Sequence, residues 1–205
     1  MTNKIQSVRS LYYITLIIFI LSLQNVSGQA FKASAVVGVN MSQIDGDNEY
    51  GYRKIGLSAG GKIGYGIDKN KFVNLEFLYS ERGSSTTLFA TEPESKIVLR
   101  YIEVPLIFSI HDWFKEEKKY HVVRADLGFS YGNLFQLETP IGDPEAFRNH
   151  DFSYILGAGF QFSKHIGLSV RYTRSFNKML DYTDVDGKQI TFRGYFLTTR
   201  LEYHF

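Results

Sequence analysis

Charged residues recur in this chain at positions that alternate with apolar ones. Lys62, Glu76, Arg100, Glu103, Arg124, Asp126, Arg171, Arg200 and Glu202 all stand among small or polar neighbours. If one strand face carries them out of water they must pair, because an unpaired buried charge is costly. Such a set can neutralise itself as a salt-bridged plug or, if water enters, pass a proton or a small solute. Two acidic stretches offer oxygen atoms of the kind Ca²⁺ takes: Asp45-Gly46-Asp47-Asn48-Glu49, and Asp181, Asp184 and Asp186 with Gly187. In the first, Tyr50 occupies the sixth position, where a calcium loop needs glycine, and solvated acidic loops are the plainer reading of both. His150, Asp151 and Ser153 have the residue types of a hydrolase triad. His150 and Asp151 point to opposite faces of a strand, however, and no nucleophile motif surrounds them. We expect no enzyme, no metal and no cofactor.

The elements that must position these groups are strands. Period-two alternation predicts eight of them, at 31–41, 55–67, 72–82, 97–110, 120–131, 150–162, 166–174 and 192–205. The fifth sets Val123, Ala125, Leu127, Phe129 and Tyr131 against Arg124, Asp126, Gly128 and Ser130. The second opposes Ile55, Leu57, Ile63, Tyr65 and Ile67 to Gly56, Ser58, Gly60, Lys62, Gly64 and Gly66, and that glycine row would clear space inside a narrow barrel. In the last strand Tyr195, Leu197, Leu201, Tyr203 and Phe205 form one face. Arg193, Arg200, Glu202 and His204 are read as the other, with Phe196 as an apolar intruder. Pro105 cannot donate to a ladder, so a bulge or an interruption is expected there. Connections alternate long and short: 42–54, 68–71, 83–96, 111–119, 132–149, 163–165 and 176–189. An up-and-down antiparallel barrel with short turns at one rim and long loops at the other has this rhythm.

Lys4 and Arg9 precede an apolar run from Leu11 to Leu23, and Val26-Ser27-Gly28 follows it. That is the layout of a signal peptide, cleaved before Gln29; the run is short for a spanning helix, and an uncleaved anchor is the alternative. Residues 1–28 are therefore set aside and 29–205 read as one barrel domain. Removing the leader takes away two basic residues and no acidic one, so the formal charge of +2 falls to about zero. A near-neutral domain offers nucleic acid no basic surface. Absence of cysteine excludes disulfides, Cys-ligated metals and a lipoprotein anchor. Tyr, Phe and Gly are abundant and there are only four prolines, a composition for strands and interfacial aromatic girdles.

Periodicity leaves open which face points outward. A water-soluble eight-stranded barrel turns its apolar face inward. The crowding of glycine and mixed-sign charge on the second face, and of Tyr65, Tyr79, Tyr131, Phe162, Tyr172 and Tyr203 towards strand ends, favours the membrane version. The fold class expected is all-β, an eight-stranded antiparallel transmembrane up-and-down β-barrel. Eight strands make a lumen that side chains just fill, which favours the plug over the conduit. The histidines His111, His121, His165 and His204 fall at the short-turn rim and read as interfacial residues.

Several stretches carry a family resemblance: Val26-Ser27-Gly28-Gln29, Gly38-Val39-Asn40, Tyr101-Ile102-Glu103-Val104-Pro105-Leu106 and Leu201-Glu202-Tyr203-His204-Phe205. In these the chain resembles the PorT-like outer-membrane β-barrel proteins of Bacteroidota, over essentially its whole mature length. The resemblance implies an outer-membrane barrel in a Gram-negative bacterium, with outer-membrane lipid around it. It also implies that Leu201, Tyr203 and Phe205 form a terminal signal read by the barrel-assembly machinery. It does not fix a function: PorT itself is tied to secretion and gliding machinery, and the family's porin label suggests a small-solute conduit. The expectation is a monomeric structural or interaction barrel that offers its long loops to a protein partner and is not an open pore. Conduit, secretion component and lipid-modifying enzyme are the alternatives.

Overall fold

A computed structural model describes residues 31–46, 51–88, 96–140, 147–183 and 189–205. The leader and its cleavage site lie outside the described residues, as do Asp47, Asn48, Glu49, Asp184, Asp186 and Gly187 of the acidic stretches. The described residues form nine strands: β1 (Phe31–Asp45), β2 (Lys54–Asp68), β3 (Lys71–Ser85), β4 (Lys96–Lys115), β5 (Tyr120–Glu138), β6 (His150–Gln161), β7 (Ile166–Ser175), β8 (Leu180–Thr183) and β9 (Gln189–His204). β1 to β7 and β9 are the eight staves of the barrel, each antiparallel to the next. β8 is a short arm that pairs only with the start of β9, from Leu180 opposite Phe192 to Thr183 opposite Gln189. The barrel closes where β1 meets β9, from Ser34 opposite His204 to Asp45 opposite Arg193.

Alternation along each stave separates the side chains as the sequence requires, and the apolar set faces out. Phe77 is 63 % exposed and Phe129 62 %, whereas Arg200 is 2 % exposed and Glu202 not at all. A water-soluble barrel would have the opposite polarity. Large apolar side chains standing outward on every stave need a hydrocarbon solvent, so the barrel is the transmembrane kind. Pairing of β1 with β9 closes the staves into a ring without a free edge, as lipid demands.

The short turns lie at one rim, with both ends of the described chain. Lys69-Asn70 joins β2 to β3, Glu116–Lys119 joins β4 to β5, and 162–165 joins β6 to β7. In the middle one Lys119 donates its backbone N–H to the Lys115 carbonyl at 2.8 Å and takes a φ of 54°. At Pro105 the β3–β4 ladder is interrupted but keeps its register: Leu75 lies opposite Leu106, Leu78 opposite Glu103, and nothing pairs between. A bulge between β4 and β5 lies elsewhere, where Arg100 meets Gln136 and Tyr101 meets Leu134, leaving Phe135 of β5 as the extra residue.

Three expectations need correcting. β4 runs through His111 to Lys115 before turning, so most of the expected connector 111–119 is strand. β5 continues to Glu138, past Gly132 where a loop was expected to begin. Arg193 is on the outer face with Tyr195, because two residues an even number apart on a strand share a side; Phe192, Phe196 and Arg200 point inward.

Candidate functional site

The lumen is where the structure concentrates polar chemistry, and it is built in layers. Nearest the short turns, Asn74 donates its amide to Ser109 Oγ at 2.8 Å, and Ser109 donates to Asp126 Oδ1 at 2.6 Å. Asp126 also accepts from Arg124 Nε at 3.2 Å and from Arg171 at 3.4 Å. Glu202 is held by Lys62 and by both arms of Arg124, with Ser169 Oγ donating to it at 2.7 Å. Glu76, on β3, is the centre of the next layer. It takes a fork from Arg171 at 2.8 and 2.9 Å and a second fork from Arg200 at 2.8 and 2.8 Å. One carboxylate so saturated by two guanidinium groups is the strongest form of charge-assisted pairing.

Higher in the lumen stands a second, separate cluster. Arg82 lies 2.7 Å from Asp151 Oδ2 and 2.7 Å from Glu103 Oε1. The first contact is a directed hydrogen bond, while the second is an ion pair whose angles do not make one. The guanidinium is also sandwiched between two rings, 4.1 Å from the centroid of Tyr101 and 4.6 Å from that of Phe196. The apolar intruder on the inner face of β9 is thus one wall of an arginine site. Above it the lumen becomes an apolar core made of Ile44, Leu99, Leu134, Phe147, Met179 and Phe192 with their neighbours. Phe147 comes from the loop after β5, and Leu180 of β8 completes the cap.

Eight of the nine charges expected inside are there: Lys62, Glu76, Glu103, Arg124, Asp126, Arg171, Arg200 and Glu202. Arg100 is not. Its side chain lies on the outer face, 3.4 Å from Glu81 and 2.6 Å from Glu138, in a rim chain that Lys54 joins through Glu81. Arg100 has the parity of Ile102 and Val104, which should have placed it outside. Sequence reading omitted Arg82 and Asp151 from the network. Arg82 was signalled by sharing the parity of Glu76 on one strand, but Asp151 was weighed only with His150 and Ser153, as a hydrolase set that was set aside. Within the two lumen clusters five cations, Lys62, Arg82, Arg124, Arg171 and Arg200, match five anions, Glu76, Glu103, Asp126, Asp151 and Glu202; Lys54, buried as well, pairs with Glu81 at the rim.

The hydrolase set is split by its own strand. Asp151 and Ser153 point inward, with Ser153 Oγ 3.4 Å from Asp151 Oδ2, but His150 is outside and bonds through Nδ1 to the Tyr131 hydroxyl at 2.7 Å. No imidazole faces Ser153 there, so the arrangement cannot form a Ser–His–acid relay. Asp45 stays exposed at the rim, 3.8 Å from Arg174. Among the described residues no three His, Asp or Glu side chains converge as a metal set would. At the short-turn rim Tyr203 and Phe205 stack edge to face at 5.5 Å, outward with Leu201. His165 and His204 bridge there through a 2.8 Å contact between the His165 ring and the His204 carbonyl.

The two gaps in the lumen that described residues enclose are small. One gap of about 10 Å³ sits between the two charge clusters, bordered by Asn40, Ser80, Glu103, Arg171 and Arg200. Another of about 40 Å³ lies at the short-turn end. A single water needs about 10–15 Å³ on this measure.

An eight-stranded barrel, apolar outside and charged inside, is an integral membrane protein of the outer-membrane type. The sequence bears this out: the chain belongs to the outer membrane protein beta-barrel domain family, whose sequence model matches residues 24–181. That family places it in the outer membrane of a Gram-negative bacterium. Among solved structures it is similar to the attachment invasion locus protein Ail of Yersinia pestis, at 15 % identity and a TM-score of 0.48 over 86 % of this chain and 100 % of that one. It is similar to Neisserial surface protein A at 11 % identity and a TM-score of 0.48, over 85 % and 97 %. OprG from Pseudomonas aeruginosa gives 11 % identity and a TM-score of 0.47, over 86 % and 96 %. No curated protein matches the sequence.

Proposed function

We propose that this protein is a closed, monomeric barrel that works by binding: the membrane-embedded staves hold the long-loop rim in place for a protein partner, and the lumen does not conduct. The filled lumen carries this reading. Ten mutually compensating charges occupy its middle, an apolar core closes its long-loop end, and the gap between the charge clusters has room for about one water. Opening a path would mean separating the forks on Glu76 in a low-dielectric interior, a costly step. His150 turned away from Ser153 supports a role without catalysis. A secretion-system role, as for PorT, is an alternative that the resemblance does not fix; in it the partner is a component of a secretion apparatus.

In this reading residues 1–28 are the export signal, and the purified membrane form begins at Gln29, which N-terminal sequencing checks. The function itself is tested by planar-bilayer recording on the refolded protein. No stable single-channel steps are expected. Steps that vanish when Arg124 or Glu103 is substituted would establish the conduit instead. A complementary capture experiment compares the wild type with a barrel whose long loops are shortened. The partner should be lost while the heat-modifiable gel shift of the folded barrel remains.

A further inference from the structure

The gap at the short-turn end has an unusual wall. Its charged residues are all cations, Lys32, Lys62 and Arg124, and no carboxylate borders it; the rest of the wall includes Ser34, His111 and His204. Lys62 and Arg124 are buried, and Lys32 stands exposed at the mouth.

The neighbouring network is also out of balance. The lower cluster sets Lys62, Arg124, Arg171 and Arg200 against Glu76, Asp126 and Glu202, an excess of one positive charge. The compensating negative charge belongs to Arg82 with Glu103 and Asp151, on the far side of the Glu76 layer. Glu202 pairs with Lys62, Arg124 and, at 3.4 Å, Arg200, while Asp126 is a second partner of Arg124 and Glu76 the main partner of Arg200. None of these carboxylates lines the gap, so the cluster's excess positive charge is presented to it by Lys62 and Arg124. A low-dielectric lumen makes that excess costly unless something neutralises it.

A second observation points into the same space. His204 Nδ1 lies 2.8 Å from Ser34 Oγ, and its Nε2 is buried without a hydrogen-bond partner, 3.9 Å from the nearest Glu202 oxygen. In either tautomer Nε2 is a polar atom left unpaired, and the form that carries its proton there is a donor lacking an acceptor.

We propose that the short-turn end of the lumen binds a small inorganic anion, of chloride to phosphate size, between Lys32, Lys62, Arg124 and His204. The volume of about 40 Å³ admits such an ion and little more. The ion supplies the missing negative charge and the acceptor for His204, and Lys32 at the mouth draws it in. This inference is independent of what binds at the long-loop rim.

The test uses the mature chain refolded in detergent, in a gluconate buffer whose anion is too large to enter. Chloride alone, and separately phosphate alone, is titrated by calorimetry, with the thermal midpoint of the heat-modifiable gel shift as second readout. At least one of the two ions should bind saturably and raise that midpoint. Lys62→Met removes the excess charge and should weaken binding by about tenfold or more. Should that variant not refold, Lys32→Gln and His204→Gln, both nearer the mouth, are each expected to weaken binding severalfold. Arg174→Gln, a cation of the opposite rim, should leave it unchanged. Saturation by neither ion overturns the proposal. So does binding that is equally strong in the Lys32 and His204 variants, or a shallow salt dependence shared by all of them.

Discussion

Glu76 is the position at which the lumen network can be tested most sharply. Glu76→Gln keeps the shape of the side chain and removes one charge. Four charge-assisted hydrogen bonds from Arg171 and Arg200 then lose their anion, and the lower cluster passes from one excess positive charge to two. Arg171 retains Asp126 at 3.4 Å and Arg200 retains Glu202 at 3.4 Å, so both guanidinium groups keep a distant partner. Removing one member of a buried pair costs about 3–5 kcal/mol. With a urea dependence of about 1–3 kcal/mol per molar, the unfolding midpoint in lipid vesicles should fall by roughly 1–5 M. Trp113, the only tryptophan, reports this unfolding by fluorescence from the short-turn rim, where it is 61 % exposed. The second half of the test is Glu76→Gln combined with Arg200→Met, which restores the wild-type charge excess. Its loss should be smaller than the sum of the single losses by about 1–3 kcal/mol, the coupling expected of groups in one network. A Glu76→Gln barrel as stable as the wild type, or strict additivity in the double variant, would show that these charges are hydrated and unpaired, and the filled lumen would have to be abandoned.

Three further outcomes follow from the same geometry. Leu127→Arg, in the middle of the outward apolar band of β5, should cost about 2–4 kcal/mol by urea unfolding in lipid, whereas Phe135→Arg, at the bulge above the band, should cost about 0–1 kcal/mol. Gly38→Ala should impair closure of the barrel: a Cβ there would meet the Thr199 carbonyl at 2.2 Å and the Arg200 Cβ at 2.4 Å, across the β1–β9 seam. Overpacking of this kind costs about 1–3 kcal/mol, visible as a reduced yield of the heat-modifiable form on refolding. Trp113 fluorescence should be quenched more by a nitroxide near the lipid headgroup than by one at the bilayer centre; stronger quenching from the centre would contradict its place at the rim.

The eight staves and the separation of each into two faces were legible in the sequence because they depend on period-two alternation, which is local; which face meets lipid came from the glycines, charges and aromatics. Partner identity was not legible. Glu76 meets Arg171 and Arg200 from 95 and 124 residues away, and Arg82 meets Asp151 from 69. Those meetings depend on how far each strand is staggered against the next around a closed barrel, a quantity that no single strand records. Residue type was also allowed to outrank parity. Arg100 and Arg193 were placed inside because they are charged, although their even spacing from Ile102 and Tyr195 puts them outside. Asp151 was weighed only beside His150 and Ser153 as a hydrolase set, which strand parity ruled out, and was not then carried into the lumen network.

The underestimated strand lengths have a different cause, and it locates the membrane. Within the lipid band an outward residue is apolar and an inward one polar, as at Ile102 and Glu103. One turn of the pattern higher, Leu99 and Tyr101 are fully buried inside while Arg100 is outside. Alternation persists there but its residue types are exchanged, because the outer surface meets water and the interior needs an ordinary apolar core. Sequence reading that follows one alphabet sees this exchange as the start of a loop. The level of exchange can be followed around the barrel on the outer face: Asp45 on β1 opposite Arg193 on β9, Glu81 on β3 opposite Arg100 on β4, and Arg174 on β7 opposite Tyr195. On β3 the outward set Val73, Leu75, Phe77 and Tyr79 lies between Lys71 and Glu81. Ten residues at about 3.4 Å each, tilted by about 40°, span roughly 25 Å, the height of the apolar band of an outer-membrane barrel. The charge network therefore lies inside the lipid-embedded section, while the apolar cap stands above it in the part of the barrel that meets water. A partner approaching the long-loop rim would meet a conventionally folded, water-facing end whose rigidity is set by the apolar cap, with the buried charges below sealing the barrel beneath it.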